Sequence, residues 1–298
     1  VTKKDPAAAD KHFDNYLASL KRAPLSDQSK RAYRSRISQF LDFLAGSNSG
    51  IGRLLKDPRE GEYILREYKR YLKRSRKFVP SSVNASLTAI DHFYQFLGMT
   101  PAKIAREDLP QEAPKALTPD EQKRYVAAAQ TSSRALDRAV PLLLINTGIR
   151  IGECAALDVG DVSVAGRKAQ IIVRNGKGDR YREVPLNEAA RDAIRDWLLE
   201  RNKRFDDIQI EDALFLNPQG RRMSATSLDR IVRKSGKACG IDLSAHVLRH
   251  TCLTQLIRKG HDLILVAEIG GHKRLETTRR YCLPTILDKQ KALETLGE

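Results

Sequence analysis

With 298 residues, 41% of them apolar and 30% charged, the chain has enough length for two ordinary domains and for a core that needs no disulfide or metal staples. No run of about 18 apolar residues occurs and no basic-then-apolar leader opens the sequence, which predicts a soluble, non-secreted protein of the cytoplasm without a membrane partner. The net charge of +16, shared between both halves of the chain, suits a polyanion, and nucleic acid fits better than a lipid surface because no strongly amphipathic membrane-type helix stands out.

Four amphipathic helices are predicted first, over residues 10–22, 27–45, 62–74 and 81–98, each with apolar side chains at three- and four-residue spacing. In the second, Tyr33, Ile37, Phe40, Leu41 and Leu44 form the inward stripe, while Arg31, Arg34 and Arg36 fan over the other side. In the third, Ile64, Leu65, Tyr68, Tyr71 and Leu72 are surrounded by Arg66, Lys69, Arg70, Lys73 and Arg74. A basic face is ordinarily a solvated one, but two helices with the same bias favour a surface that tracks DNA phosphates, with Arg31, Arg34, Arg36, Lys69, Arg70 and Lys73 as candidate contacts.

Pro101, Pro110, Pro114 and Pro119 then mark an extended linker, after which Thr118 caps a helix reading TPDEQKRYVAAAQ. AVPLLLINTG predicts a buried helix stopped at Gly148, and IRIGECAALDVGDV starts another element. Residues 169–186 hold two strand-like runs around a turn rich in Asn, Gly and Asp, the pattern of a hairpin. Further helices are predicted over 190–205, where Ile194, Trp197 and Leu198 share a side, and over Ser227–Gly240, His246–Lys259 and Leu263–Gly270. Cys154, Cys239, Cys252 and Cys282 are too scattered for a zinc site or a disulfide framework and are expected as thiols.

Three groups of residues carry chemistry. Arg150 follows the Gly148 breaker with Glu153 three positions on, so a structural salt bridge between the two competes with a role at a site. His246, Arg249 and His250 fall on one helical face, with Leu248, Cys252 and Leu256 turned inward. Tyr281 stands alone in the basic stretch GGHKRLETTRRYC, nine residues after His272.

The run HVLRHTCLTQLIRKGHDLILVAEIGGHKRLETTRRY resembles the signature of the tyrosine recombinases of the phage-integrase family, TGIRIGECAAL resembles that family's first arginine box, and NGKGDRYREVPL resembles its hairpin lysine box. The N-terminal pattern SDQSKRAYRSRISQFLDFL is similar, less specifically, to the family's core-site binding domain. The resemblance implies a mainly α fold with a small antiparallel β-sheet or hairpin: a helical core-site domain over 1–105, a linker over 106–118, and a mixed α/β catalytic domain over 119–298 ending in a tail helix, together a C-shaped clamp around DNA. It also implies that Arg150, Lys177, His246, Arg249 and His272 surround a scissile phosphate attacked by Tyr281, with Glu153 and His250 supporting them. Two departures stand out: Gly270 where the family carries a large apolar residue, expected to loosen the turn that presents His272, and Cys282–Leu283 in place of a polar pair.

These residue types suit the reaction. Attack on a phosphodiester gathers extra negative charge on the phosphorane, and guanidinium forks at Arg150 and Arg249 bind that transition state better than the ground state. A tyrosine of ordinary pKa, about 10, is ionised in only about one molecule per thousand at neutral pH. Neighbouring cations are expected to lower the pKa of Tyr281, with His246 accepting the proton and Lys177 protonating the departing 5′-oxygen. The resemblance implies a 3′-phosphotyrosine product, no cofactor and no metal, double-stranded DNA with inverted half-sites as partner, and a homotetramer joined by tail exchange through a stripe of Ile286, Leu287, Leu293 and Leu296. A type IB topoisomerase-like activity and a DNA-binding regulator without catalysis are the alternatives.

Overall fold

The computed structural model describes residues 6–46, 58–101, 103–109, 113–165, 168–175, 180–205, 212–284 and 286–294. The chain divides into two compact units, Val1–Pro110 and Gln111–Glu298.

Among the described residues the first unit is built from four helices: α1 (Pro6–Arg22), α2 (Asp27–Gly46), α3 (Pro58–Arg74) and α4 (Pro80–Phe96). Their apolar stripes meet in one core in which Tyr16, Ile37, Phe40, Leu65, Tyr68, Val83, Ile90 and Phe93 are shut off from solvent. Each such side chain contributes about 1.5–3 kcal/mol through burial, which the short helices would lack alone. Tyr33 and Leu41, expected inside, sit half-buried at the rim of this core. The third helix starts earlier than its periodicity suggests, because Pro58 has the fixed φ suited to a first turn while the residues after it carry no apolar signal. The segment read as a linker is held down in places. Asn84 and the backbone of Glu107 exchange two hydrogen bonds of 2.8 Å, and Lys69 donates to the Ala105 carbonyl at 2.6 Å. In the second unit Leu117 N–H donates to Thr251 Oγ1 at 2.9 Å.

The second unit opens with α5 (Pro119–Gln130), whose N-terminus is a reciprocal capping box between Thr118 and Glu121. At its centre is α6 (Ala135–Thr147), buried almost throughout and packed by α8 (Glu188–Arg204), α9 (Ala225–Ala238) and α10 (Ala245–Arg258). Trp197 of α8 seals one side, its indole N–H donating to the Leu214 carbonyl at 2.8 Å. Between α6 and α8 lie the short α7 (Ile151–Ala156) and a three-stranded antiparallel sheet of β1 (Val162–Ser163), β2 (Gln170–Asn175) and β3 (Arg180–Pro185) in that order. The hairpin was expected; β1, at two residues, is too short to show a period of two. The turn carrying Lys177 lies outside the described residues.

After α10 come α11 (Leu263–Gly270), α12 (Leu275–Arg279) with a 3₁₀ turn over Arg280–Cys282, and the tail helix α13 (Ile286–Glu294). Arg258 of α10 donates to Asp288 of the tail at 3.0 Å, a contact within one chain. Leu293 of the tail is exposed, and Leu296 lies outside the described residues. No helix among the described residues is long and apolar enough to cross a membrane.

Candidate active site

The site assembles where α6, α10 and α11 end or cross. Gly148 stops α6 in the left-handed region at φ 64°, and a Cβ there would stand 3.2 Å from Cys252 Sγ and 3.3 Å from Leu253 Cδ2 of α10. This close approach lets the Gly148 carbonyl accept a 2.6 Å hydrogen bond from Arg249 Nη1. Arg150 occupies the cap position of α7 and Glu153 reaches back to it: Arg150 N–H donates to Glu153 Oε2 at 2.8 Å and Nη1 donates to Oε1 at 2.9 Å. The salt bridge anticipated between these two residues is therefore present, and Arg150 also sends Nη2 to the Gly271 carbonyl at 3.2 Å.

Three successive carbonyls at the C-terminal end of α11 each receive a different arginine. Ile269 accepts from Arg182 Nε at 3.0 Å, Gly270 from Arg249 Nη2 at 2.6 Å and Gly271 from Arg150 Nη2 at 3.2 Å. The end of a helix offers such carbonyls free and carries the negative pole of its dipole, so it is a natural seat for cations. The crowding also accounts for the two glycines. A Cβ on Gly270 would come within 3.3 Å of Arg249 Nη2, His272 Cε1 and Leu253 Cδ1, and one on Gly271, at φ 61°, would fall 2.6 Å from Arg182 Nη1. Gly270 does not loosen the turn as expected: Gly271 N–H donates to Glu268 O and His272 N–H to Ala267 O, both at 2.9 Å.

His272 is fixed in tautomer as well as in place. Arg249 can only donate, so the 2.7 Å contact between its Nη2 and His272 Nε2 makes that nitrogen the acceptor. The ring proton then sits on Nδ1 and is donated to Thr278 Oγ1 at 2.8 Å. His272 stacks nearly parallel on Tyr281, ring centres 5.8 Å apart, and Tyr281 is 6% exposed. The imidazole in hydrogen-bond contact with the Tyr281 hydroxyl is His250, through Nδ1 at 3.0 Å. His246 lies one ring further out, 4.0 Å from His250 centre to centre.

Burial dominates the electrostatics. It lowers the pKa of His250 to about 3 and of His272 to about 4, with nearby cations adding to the effect, so both rings are neutral at pH 7. His246 is lowered for the same reasons, burial first and Arg249, Arg280 and Arg150 after it. Arg249, 2% exposed, is lowered to about 10 by burial and stays charged. Tyr281 departs from expectation: burial raises its pKa, and the opposing influence of Arg249, Arg280 and Arg150 does not overcome it.

Of the residues singled out by sequence, Arg150, Glu153, His246, Arg249, His250, His272 and Tyr281 meet in this one region through direct contacts or one intervening ring. Lys177 lies outside the described residues. The basic candidates of the first unit lie on α2 and α3: Arg31 and Arg34 are exposed and Arg36 half-buried. Lys69 and Lys73 both reach Glu107 at 2.8 Å and hold its carboxyl below the usual carboxylate range, while Arg70 pairs with Glu67 at 2.5 Å. Two participants were missed, Thr278 and Arg182. A signal for Arg182 was available, because in REVP the core-facing parity of Val184 falls on the arginine two residues earlier. Arg182 is cross-strand partner to buried Val173 as Val184 is to buried Ile171, and an inward charge calls for a buried partner.

Residues 115–285 match the family model described as Phage integrase family. The chain belongs to that family. Among relatives, it is 38% identical over 174 residues to the tyrosine recombinase XerC of Corynebacterium efficiens, a match covering 58% of this chain and 53% of that protein. It is 30% identical over 229 residues to the tyrosine recombinase XerA of Thermococcus kodakarensis, covering 76% of this chain and 79% of the other. The fold of this integrase-family chain resembles that of the XerH site-specific recombinase in a post-cleavage complex with palindromic difH substrate, with a TM-score of 0.69 at 21% identity over 99% of this chain and 97% of that one.

Proposed function

We propose that this chain is a site-specific DNA recombinase that breaks and rejoins strands through a 3′-phosphotyrosine at Tyr281. The observation that carries the reading is the gathering of Arg150, Arg249 and three histidines, one of them hydrogen-bonded to the hydroxyl, in one region about the buried Tyr281, within a family whose relatives bear the name tyrosine recombinase. In this assignment Arg150 and Arg249 receive the non-bridging oxygens of the scissile phosphate. Arg249 is rigid beforehand because three of its donor contacts go to Gly148 O, Gly270 O and His272 Nε2. A cation held in place before substrate arrives needs no reorganisation as charge develops.

The resting tyrosine is protonated, and proton transfer to His250 is uphill. An imidazole near pKa 3 is a poor acceptor for a phenol that burial holds above its ordinary pKa. The charge of a bound phosphate offsets the Arg249 and Arg280 cations that depress both His246 and His250, and it offsets their pull on Tyr281 as well, so the proton leaves in concert with O–P bond formation and not before it. Substrate therefore makes the imidazoles better bases at the moment a base is needed, with His250 in contact and His246 beyond it. Lys177, on the hairpin turn, is assigned as the acid that protonates the leaving 5′-oxygen. Because the phosphotyrosine stores the ester bond, religation by the 5′-hydroxyl of a second strand needs no energy input.

Strand exchange through a four-way junction by a tetramer on inverted half-sites, with tails exchanged between protomers and in the cytoplasm, completes the proposal. The test is a duplex selected from a randomised pool for tightest binding, nicked so that the short leaving fragment diffuses away. The wild type should become covalently attached, and Tyr281→Phe should bind the same duplex without attachment. Attachment of the Phe variant removes Tyr281 as nucleophile, and binding by wild type with no adduct leaves a DNA-binding regulator. Relaxation of supercoils without site preference points instead to a type IB topoisomerase.

A further inference from the structure

We infer that Arg182 is a positioning residue for Arg150: it locks the carboxylate of Glu153, and that carboxylate in turn fixes both the backbone and the guanidinium of Arg150. The contacts form a closed set. Arg182 donates from Nη1 to Glu153 Oε1 at 3.1 Å and from Nη2 to Oε2 at 2.8 Å, a two-point fork. The same two oxygens accept from Arg150 Nη1 and from the Arg150 backbone N–H. One carboxylate thus serves two guanidiniums, and neither arginine can turn without disturbing it.

Burial separates the two roles. The Arg182 and Glu153 side chains are 10% and 11% exposed, whereas that of Arg150 is 44% exposed. The covered arginine faces protein only, and the open one is placed to meet an anion from solvent. A buried carboxylate pulled on from one side by a solvent-facing arginine alone would swing with it; the second guanidinium removes that freedom. Arg182 is itself held by Ile269 O at 3.0 Å and by contact with Gly271, where no Cβ stands in the way. Since Gly271 O accepts from Arg150, the frame that seats Arg182 also seats the far end of Arg150.

Geometry, and not charge alone, is required. A lysine ammonium at 182 cannot span both carboxylate oxygens and the Ile269 carbonyl together, because it is a point donor and not a planar fork.

This inference rests on the recombinase reading, and the experiment separates the two. Single-turnover attachment is measured on the selected nicked duplex with an ordinary scissile phosphodiester, and on the same duplex with a neutral methylphosphonate at that position. An arginine that neutralises a non-bridging oxygen is needed for the first substrate and far less for the second. Arg182→Met and Arg182→Lys should each slow attachment on the phosphodiester at least about tenfold, with DNA affinity within about threefold of wild type. On the methylphosphonate the deficit should shrink to within about threefold, in parallel with Arg150→Met. The lysine variant keeps a cation beside Glu153 and carries the test if the methionine variant does not fold. Equal deficits on the two substrates, or a wild-type rate for Arg182→Lys, would overturn the positioning role. Failure of the wild type to attach to either duplex would instead bring down the recombinase reading beneath it.

Discussion

Replacing Gly271 by alanine probes the frame beneath the arginines without removing any of its polar groups. The residue sits at φ 61°, where a Cβ costs about 1 kcal/mol. That Cβ would also lie 2.6 Å from Arg182 Nη1 and 2.7 Å from Cζ, so the guanidinium has to retreat. Retreat strains the fork to Glu153 and the bond to Ile269 O, and weakening charge-assisted hydrogen bonds at a largely buried site costs about 2 kcal/mol more. The total of about 3 kcal/mol corresponds to a fall in Tm of roughly 6–12 °C for a unit of this size. Gly240 supplies the control, since it is left-handed at φ 73° with nothing within 4 Å of a built Cβ. Gly240→Ala should therefore show only the backbone contribution, about 1 kcal/mol or roughly 2–4 °C. Thermal melts followed by circular dichroism compare the two variants directly. Equal shifts would mean that the approach of Arg182 to Gly271 contributes nothing, and the account of the paired glycines would fail.

Thr278→Val removes the acceptor for His272 Nδ1–H inside the protein; attachment to the nicked duplex should slow about tenfold while stability falls by only about 1–2 kcal/mol, and an unchanged rate would show that the tautomer of His272 does not matter. His250 and His272 have folded-state pKa values near 3 and 4 against about 6.5 unfolded, so below that value the unfolded chain binds more protons. Their contribution to stability is full above about pH 6.5 and is lost as the pH falls through about 4 and then about 3; urea midpoints that stay flat from pH 7 to 5 would contradict the burial of these rings. Glu107→Gln should free Lys73 for phosphate, while Lys69 keeps its bond to the Ala105 carbonyl, strengthening DNA binding and steepening the slope of log K against log salt by about one, whereas an unaltered slope would take Lys73 off the phosphate-contacting surface.

Much of the site was legible as type and order. His246, Arg249 and His250 belong to one helical face because three- and four-residue spacings impose it, and Thr118 caps α5 as its residue type predicts. Arg182 was less visible, as its importance depends on strand parity joined to a partner 29 residues away in sequence. Which histidine touches Tyr281 was not legible at all: His246 and His250 share a face, and only the seating of the 3₁₀ turn against α10 selects His250.

The amino-acid sequence alone therefore determined most of the helices, the hairpin and the basic character, since these follow from periodicity, turn chemistry and residue type, while the set of candidate site residues came from the resemblance to the integrase family. Tertiary structure decided how those side chains are paired and in which protonation state they rest. Arg150 finds Gly271 across 121 positions and Arg182 finds Ile269 across 87, separations at which local pattern has no influence. The sign of the shift on Tyr281 follows from the same cause: proximity of cations argued for a more acidic phenol, but removal from water acts on the charged form more strongly, and how much water is removed depends on packing between distant segments.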